Sequence, residues 1–396
     1  MVNRKRILIF NGYFTPAKNY GGPLTSCKNV IKTCSDEFDF FVVSRNHDVG
    51  CKDVFPNLHK GWKLIEGAML KYIADGELDF DKSSLRDLFL EVKPDLIWFA
   101  GILVPNIRLK AIELSKELKI PVLLSPRGEV SKDRIQLKWW KKKPYLFLTK
   151  MLGYYRDAYF HATCNEEVAG LKKYVGASAK NIFLIPNIGV PLEPSRRECN
   201  KKRGELRVVF IARIHKVKNV KLAIEIVCKM KSKVTFDIYG PLEQPGYWDE
   251  CLQVIKTAPG NVTVNYCGQL LPMDVGACFR KYDCFLFPTL NENYGHSIAE
   301  SLANGIPVVV SKDTTPWNTI NKKAGYVCSL SNVDEFTSAL ENIAALNKDS
   351  YQKLQSDVRM YYKMVLLKDN AIKGHKEMFR SIILDYSKKT IDYVVR

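Results

Sequence analysis

Residues 282–311 read YDCFLFPTLNENYGHSIAESLANGIPVVVS. An apolar strand, Cys284 to Phe287, stops at Pro288, and a polar loop follows that holds Glu292, Asn293, Tyr294 and Gly295. A short helix opening near His296 or Ser297 carries Glu300 and ends at Asn304-Gly305, and Pro307 to Val310 is the next buried strand. A strand, loop, helix and strand in this order form a unit of a parallel sheet. The loop lies at the carboxyl end of a strand, where open α/β sheets bind ligands, and the helix start offers unpaired N–H groups to an anion.

Upstream, the strand Leu206 to Ala212 leads into Arg213-Ile214-His215-Lys216-Val217-Lys218-Asn219 and a helix through Val227. Two fixed cations, Arg213 and Lys218, at the ends of a loop between strand and helix suit a pair of phosphates. Strands Val234 to Tyr239 and Val262 to Cys267 each run into a glycine, Gly240 and Gly268, and Gly325 to Cys328 is a last short strand. Helices are expected from Asn332 to Ala345 and from Tyr351 towards the end.

Glu292 and Glu300 in E-x7-E spacing, the longer string Pro288 to Glu300 and the following Gly305-Ile306-Pro307-Val308-Val309, with Thr315-Pro316-Trp317 beyond, resemble the donor-sugar motif of family 4 glycosyltransferases, in particular bacterial surface-polysaccharide enzymes. The R-x4-K of Arg213 and Lys218 matches that family's diphosphate clamp, with Asn219 where relatives usually carry glycine. The resemblance implies a GT-B fold, two Rossmann-like α/β domains facing across a cleft. It implies retaining transfer of a sugar, of hexosyltransferase type, from a nucleotide sugar to a glycan or lipid-linked glycan in polysaccharide biosynthesis, with UDP-sugars the first expectation and GDP-mannose the second. Arg213, Lys218 and Glu292 take the catalytic roles. Gly268, Gln269 and Leu270 would hold the base, Asn293, Tyr294, Gly295, His296 and Ser297 would line the donor site, and Glu300 would hold the ribose. No metal or other cofactor is expected.

The N-terminal half alternates strands (Arg6 to Phe10, Phe38 to Val43, Asp95 to Ala100, Val122 to Ser125) with helical stretches around Ser83 to Glu91 and Asn106 to Leu118. Gly21-Gly22 between the first strand and its helix permit close backbone approach to a phosphate, and in the family this loop faces the donor. Ser125-Pro126-Arg127-Gly128-Glu129 is again a loop at the end of a strand. Arg127 and Glu129 are acceptor-side candidates, Arg127 standing near where many relatives carry histidine. His161, on the strand Tyr159 to Cys164, is read first as a structural hydrogen-bonding group and second as an acceptor-side residue. Asn165-Glu166-Glu167 reads as a cap and an acidic first turn of the next helix. Pro186-Asn187-Ile188-Gly189 resembles the family's interdomain I-P-N-G with an isoleucine inserted. The domains expected are 1–190, a linker over 191–205, the nucleotide-sugar domain 206–370 and a helix over 371–396 that packs back on the first.

The chain has 396 residues, enough for two α/β domains, and 46% of them are hydrophobic. Eleven cysteines show no C-x-x-C pair and no clustering with the six histidines, which argues against a zinc site or disulfide framework. The one D-x-D, Asp79-Phe80-Asp81, reads as solvated surface. Behind Arg4-Lys5-Arg6 the apolar run Ile7 to Phe10 is far short of a signal sequence, so the expectation is a cytoplasmic protein, peripheral at the inner face of a membrane. The net charge of +18 calls for an anionic partner: nucleic acid, a membrane surface or an anionic substrate. No nucleic-acid module is recognisable, and no nucleic acid is expected. Lys138 to Lys150, which mixes lysines with aromatics and leucines, has the composition of a membrane-interface segment. Two alternatives stand beside the transferase: a nucleotide-sugar 2-epimerase-type enzyme on the same fold, and a non-catalytic basic protein binding membranes or nucleic acid.

Overall fold

A computed structural model describes residues 4–56, 58–74, 82–102, 105–131, 135–136, 139–192 and 200–394. Asp79, Asp81 and Lys138 lie outside the described residues. The chain divides into two compact units, Met1–Ile188 together with Asn370–Arg396, and Gly189–Asp369.

In the first unit, β1 (Lys5–Phe10), β2 (Phe38–Arg45), β3 (Lys63–Ile65), β4 (Ala68–Ile73), β5 (Leu96–Ala100), β6 (Val122–Ser125), β7 (Tyr159–Ala162) and β8 (Ile182–Leu184) form one sheet in the order β3-β4-β2-β1-β5-β6-β7-β8. All pairings are parallel except β3 with β4. That hairpin was not foreseen. Its two-residue turn places Glu66 at φ 50° and Gly67 at φ 85°, the left-handed pair that such a turn needs, and glutamate is an unusual residue to supply it.

The helix Ala371–Val394 belongs to this unit. Phe379 packs its ring 5.4 Å from Phe38, 6.3 Å from Phe40 and 5.8 Å from Trp98. Lys376 and Arg380 pair with Asp36 and Glu37 at the rim, but such exposed pairs add little beside the aromatic burial. The sequence reading placed helix from Tyr351 towards the end, with a separate helix over 371–396. Lys348–Asp369 and Ala371–Val394 are separate helices, parted at Asn370, whose φ of 45° lies in the left-handed region that interrupts an α-helix.

In the second unit, β9 (Glu205–Ile211), β10 (Lys233–Tyr239), β11 (Val262–Tyr266), β12 (Cys284–Phe287), β13 (Val308–Ser311) and β14 (Gly325–Cys328) pair in parallel in the order β11-β10-β9-β12-β13-β14. Helices cover both faces, so β12 and β13 are buried at every position, which is why they read as unbroken apolar runs. The strand order reverses between β9 and β12, and that reversal places a ligand crevice at their carboxyl ends. Residues 200–204, read as the tail of a polar linker, are held on this unit. Lys201 is buried, its Nζ donating to the carbonyls of Lys202, Glu205 and Ala344 at 2.7, 2.7 and 2.9 Å.

His161 and His375 lie fully buried in the first unit, their rings 4.7 Å apart. Burial holds the first well below the ordinary histidine range, with His375 and Arg127 adding to the effect, and holds His375 down to about 4. Both are therefore neutral in the folded chain and must gain protons to unfold in acid. Their contribution is complete above pH 6.5 and is lost as pH falls from there through about 4. Unfolding followed by circular dichroism should show this unit weakening over that range, and His375→Phe should remove roughly 3 kcal/mol of the acid sensitivity at most.

Candidate donor site

The loop after β9 and the loop after β12 are sewn together. Leu290 N donates to Val217 O at 2.8 Å, Thr289 Oγ1 donates to the same carbonyl at 3.0 Å, and Asn219 Nδ2 donates to Pro288 O at 3.0 Å. Lys218 Nζ pairs with Glu292 Oε1, both side chains largely buried, so two residues read separately from sequence meet at the crevice. Asn219 precedes the helix Val220–Cys228, and its side chain makes no capping bond to it. It occupies φ 58°, a conformation asparagine tolerates where other side chains are strained, so it does the backbone work of glycine and adds the bond to Pro288.

Arg213 stands at the other end of the same loop, its Nη1 donating to Glu243 at 2.7 and 2.8 Å. Glu243 was not singled out from sequence. The signal was Gly240: a Cβ there would lie 1.8 Å from Ala212 O, so only glycine lets the turn carrying Glu243 approach the start of the Arg213 loop.

The helix His296–Ala303 begins at Gly295, whose φ of 80° sets its entry. Tyr294 is buried, its carbonyl accepting Trp317 Nε1 at 2.5 Å and its ring 4.8 Å from His296 and 5.7 Å from Trp317. Glu292 N donates to Thr314 O at 2.7 Å, so the segment after β13 braces the whole loop. Trp317, noted in sequence as part of a motif, therefore acts as a prop. Gly189 completes the packing: a Cβ there would sit 2.6 Å from Tyr362 Oη and 2.9 Å from Tyr294 Oη.

Glu300 projects from that helix into a recess of about 190 Å³ shared with Val190, Pro272, Arg280 and Asn304. Burial alone pushes its carboxyl up to about 7, and no donor among the described residues offsets it. Such a carboxylate is suited to accept hydrogen bonds from a ligand's hydroxyls. Arg280, missed in sequence, donates from Nη1 to Asn304 Oδ1 at 2.9 Å and puts a cation on the recess wall. Gly268 takes φ 76° and accepts from Gly240 N at 2.9 Å, with Gln269 and Leu270 following, and Ser297 lies in the first turn of the Glu300 helix. Among the described residues no three His, Cys, Asp or Glu side chains form a metal-binding group.

In the first unit, Gly21 caps the helix Gly22–Cys34 at φ 64°, with open space where a Cβ would stand. Arg127 adopts φ 49°, lies 5.7 Å from the Trp98 ring and donates to Asn187 Oδ1 at 2.6 Å. The Glu129 carboxylate accepts from Ile102 N. His161 is engaged at both nitrogens: Trp98 Nε1 donates to Ser125 Oγ at 2.8 Å, Ser125 Oγ lies 3.2 Å from Nδ1, and Nε2 lies 3.0 Å from Ile185 O. Those contacts suit a structural group. Glu167 is more than an acidic first turn: buried, it accepts from Gly128 N at 2.5 Å and Thr163 N at 2.7 Å, pinning the loop that carries Arg127. Ile188, the inserted residue, joins the first unit's core and accepts Asn29 Nδ2 at 2.8 Å.

Two α/β units, each built on a largely parallel sheet and the second with its crevice at a strand-order reversal, define a GT-B fold. Residues 193–359 match the family model described as glycosyl transferases group 1. The fold is similar to that of Anabaena HepE solved in complex with UDP and glucose, with a TM-score of 0.69, 13% identity, and 96% of this chain and 99% of that one covered. It is similar to a glycosyltransferase from Rickettsia africae, with a TM-score of 0.70, 13% identity and 98% of each chain covered. It is also similar to an E. coli trehalose-6-phosphate protein bound with UDP-2-fluoro glucose, with a TM-score of 0.66, 11% identity, and 96% and 99% covered. No curated protein matches the sequence.

If Glu300 accepts ribose hydroxyls as a carboxylate, nucleotide affinity should rise with pH through about 7 and level off above it, as calorimetric titration with UDP would read. Glu300→Ala should weaken binding by about 1–3 kcal/mol and flatten that profile.

Proposed function

We propose that this protein is a retaining, family 4 glycosyltransferase of hexosyltransferase type, moving a sugar from a nucleoside diphosphate sugar to a glycan or lipid-linked glycan in surface polysaccharide biosynthesis. The observation that carries the reading is the meeting of Lys218, Glu292 and the Gly295–His296 helix start at the β9/β12 reversal. UDP is the first choice of nucleotide and GDP the second. HepE and the E. coli protein, whose structures contain UDP or a UDP-sugar, support that order.

The hard step is breaking the bond between sugar and phosphate, because negative charge develops on the departing diphosphate. Arg213, Lys218 and the backbone N–H groups at the helix start would stabilise that charge, so the scheme calls for no metal. The diphosphate takes Arg213 from Glu243 and Lys218 from Glu292. Glu292, released from its ion pair, is then free to accept hydroxyls of the transferred sugar and fix its orientation. A sugar lacking the matching hydroxyl would leave that carboxylate buried and unpaired, which is a source of selectivity. Retention proceeds by attack on the same face that the phosphate leaves, the leaving phosphate oxygen taking the acceptor's proton, so no protein nucleophile is assigned. Arg127 and Glu129 are the acceptor-side residues in this reading; His161 supports their sheet.

Calorimetric titration with UDP, GDP, ADP and their sugars should find one nucleotide that binds. Arg213→Ala and Lys218→Ala should each weaken it roughly 10- to 100-fold, the usual cost of removing a charged hydrogen-bond partner. Binding of none of the nucleotides, or binding indifferent to both substitutions, would overturn the assignment.

A further inference from the structure

We propose that the helix Trp139–Met151 of the first unit docks this protein on an anionic lipid bilayer surface. The helix carries two unlike faces. Leu146 and Thr149 are buried and Tyr145 partly so, which fixes one side on the unit's core. On the other side Trp140, Phe147, Leu148 and Met151 are 56–69% exposed, and Pro144 is exposed between them. Positions 140, 144, 147, 148 and 151 fall on one side of a helix, so these side chains form a single apolar stripe turned to solvent. A contiguous exposed apolar stripe needs a partner, unlike apolar residues scattered singly.

The lysines say what the partner is. At about 100° per residue, Lys143 and Lys150 flank the stripe on one edge and Lys141 flanks it on the other, all three exposed. No acidic residue occurs from Trp139 to Tyr155. Lys143 Nζ lies 5.4 Å from the centre of the Trp139 ring, which pairs a cation with an amphipathic aromatic at the helix start. An apolar stripe between lysine rows matches acyl chains below and anionic headgroups beside them, the arrangement of a helix lying in the plane of a bilayer interface. No helix among the described residues is long and apolar enough to cross a membrane, so the association drawn here is a surface one. None of the donor-site residues lies on this helix.

The test is cosedimentation of the full chain with vesicles of equimolar phosphatidylcholine and phosphatidylglycerol, with pure phosphatidylcholine vesicles alongside, while tryptophan emission is recorded. The expected result is binding to the anionic vesicles with a blue shift, weakened by salt and at least tenfold weaker to the neutral ones. The triple variant Trp140→Ser, Phe147→Ser, Met151→Ser should lose both binding and shift. Lys141→Gln, Lys143→Gln, Lys150→Gln should lose at least tenfold in affinity and most of the salt dependence. Both replace exposed side chains, and circular dichroism with nucleotide titration verifies that they stay folded. Failure of the wild type to bind anionic vesicles, or undiminished binding by both variants, overturns the proposal. So does self-association that the serine variant abolishes in the absence of lipid binding, which would make a second copy of the chain the occupant.

Discussion

The ion pair between Lys218 and Glu292 is the contact on which the second unit's crevice depends. It ties the loop that follows β9 to the loop that follows β12, across the point where the strand order reverses. Neither charge would be tolerable alone at that depth, because a largely buried ion without a partner loses hydration that nothing replaces. Together they are neutral, and the backbone bonds around Val217 and Pro288 hold both loops in place. Arg213 with Glu243 repeats the arrangement at the other end of the same loop. Each cation on this loop thus faces a carboxylate.

Much of this could be read from the sequence for one physical reason: a parallel sheet buried on both faces writes its strands as unbroken apolar runs. Val208 to Ile211, Cys284 to Phe287 and Val308 to Val310 are such runs, and they locate the loops that carry Arg213, Lys218 and Glu292. The helix that carries Glu300 was legible because punctuation surrounds it, with Gly295 before and Asn304-Gly305 after. What escaped was whatever depends on contacts distant in sequence. Glu243 and Arg280 stand outside the recognisable strings, and their places follow from how β10 and the segment before β12 pack. The β3–β4 hairpin escaped because its turn uses Glu66 where asparagine or aspartate would have announced it. Glu167 does lie in the first turn as read, and only its bond back to Gly128 escaped, for the same reason.

The two units handle buried polarity differently. In the first, His161 and His375 are kept neutral by burial, and Arg127 sits against Trp98 with Asn187 as its acceptor, so the carboxyl ends of β5 to β7 rest on a fixed set of hydrogen bonds. In the second, the polar groups at the strand ends are charged and exchangeable. Paired charges of the second kind suit the diphosphate ligand proposed for this crevice. A sheet end that presents Arg127 and Glu129 in one orientation benefits from the first, with Glu167 pinning the loop between them.

The separation of the last helix from its predecessor at Asn370 bears on how the molecule comes to exist. The second unit is a continuous stretch of chain, whereas the first is built from its opening residues and its final helix. During synthesis, β1 to β8 leave the ribosome long before the helix that supplies Phe379 to their sheet. Until then Phe38, Phe40 and Trp98 lack the ring that covers them, while the second unit has everything it needs as soon as Asp369 is made. The order of completion therefore runs against the order of translation, and the nascent first unit is the part of the chain with most to gain from a chaperone.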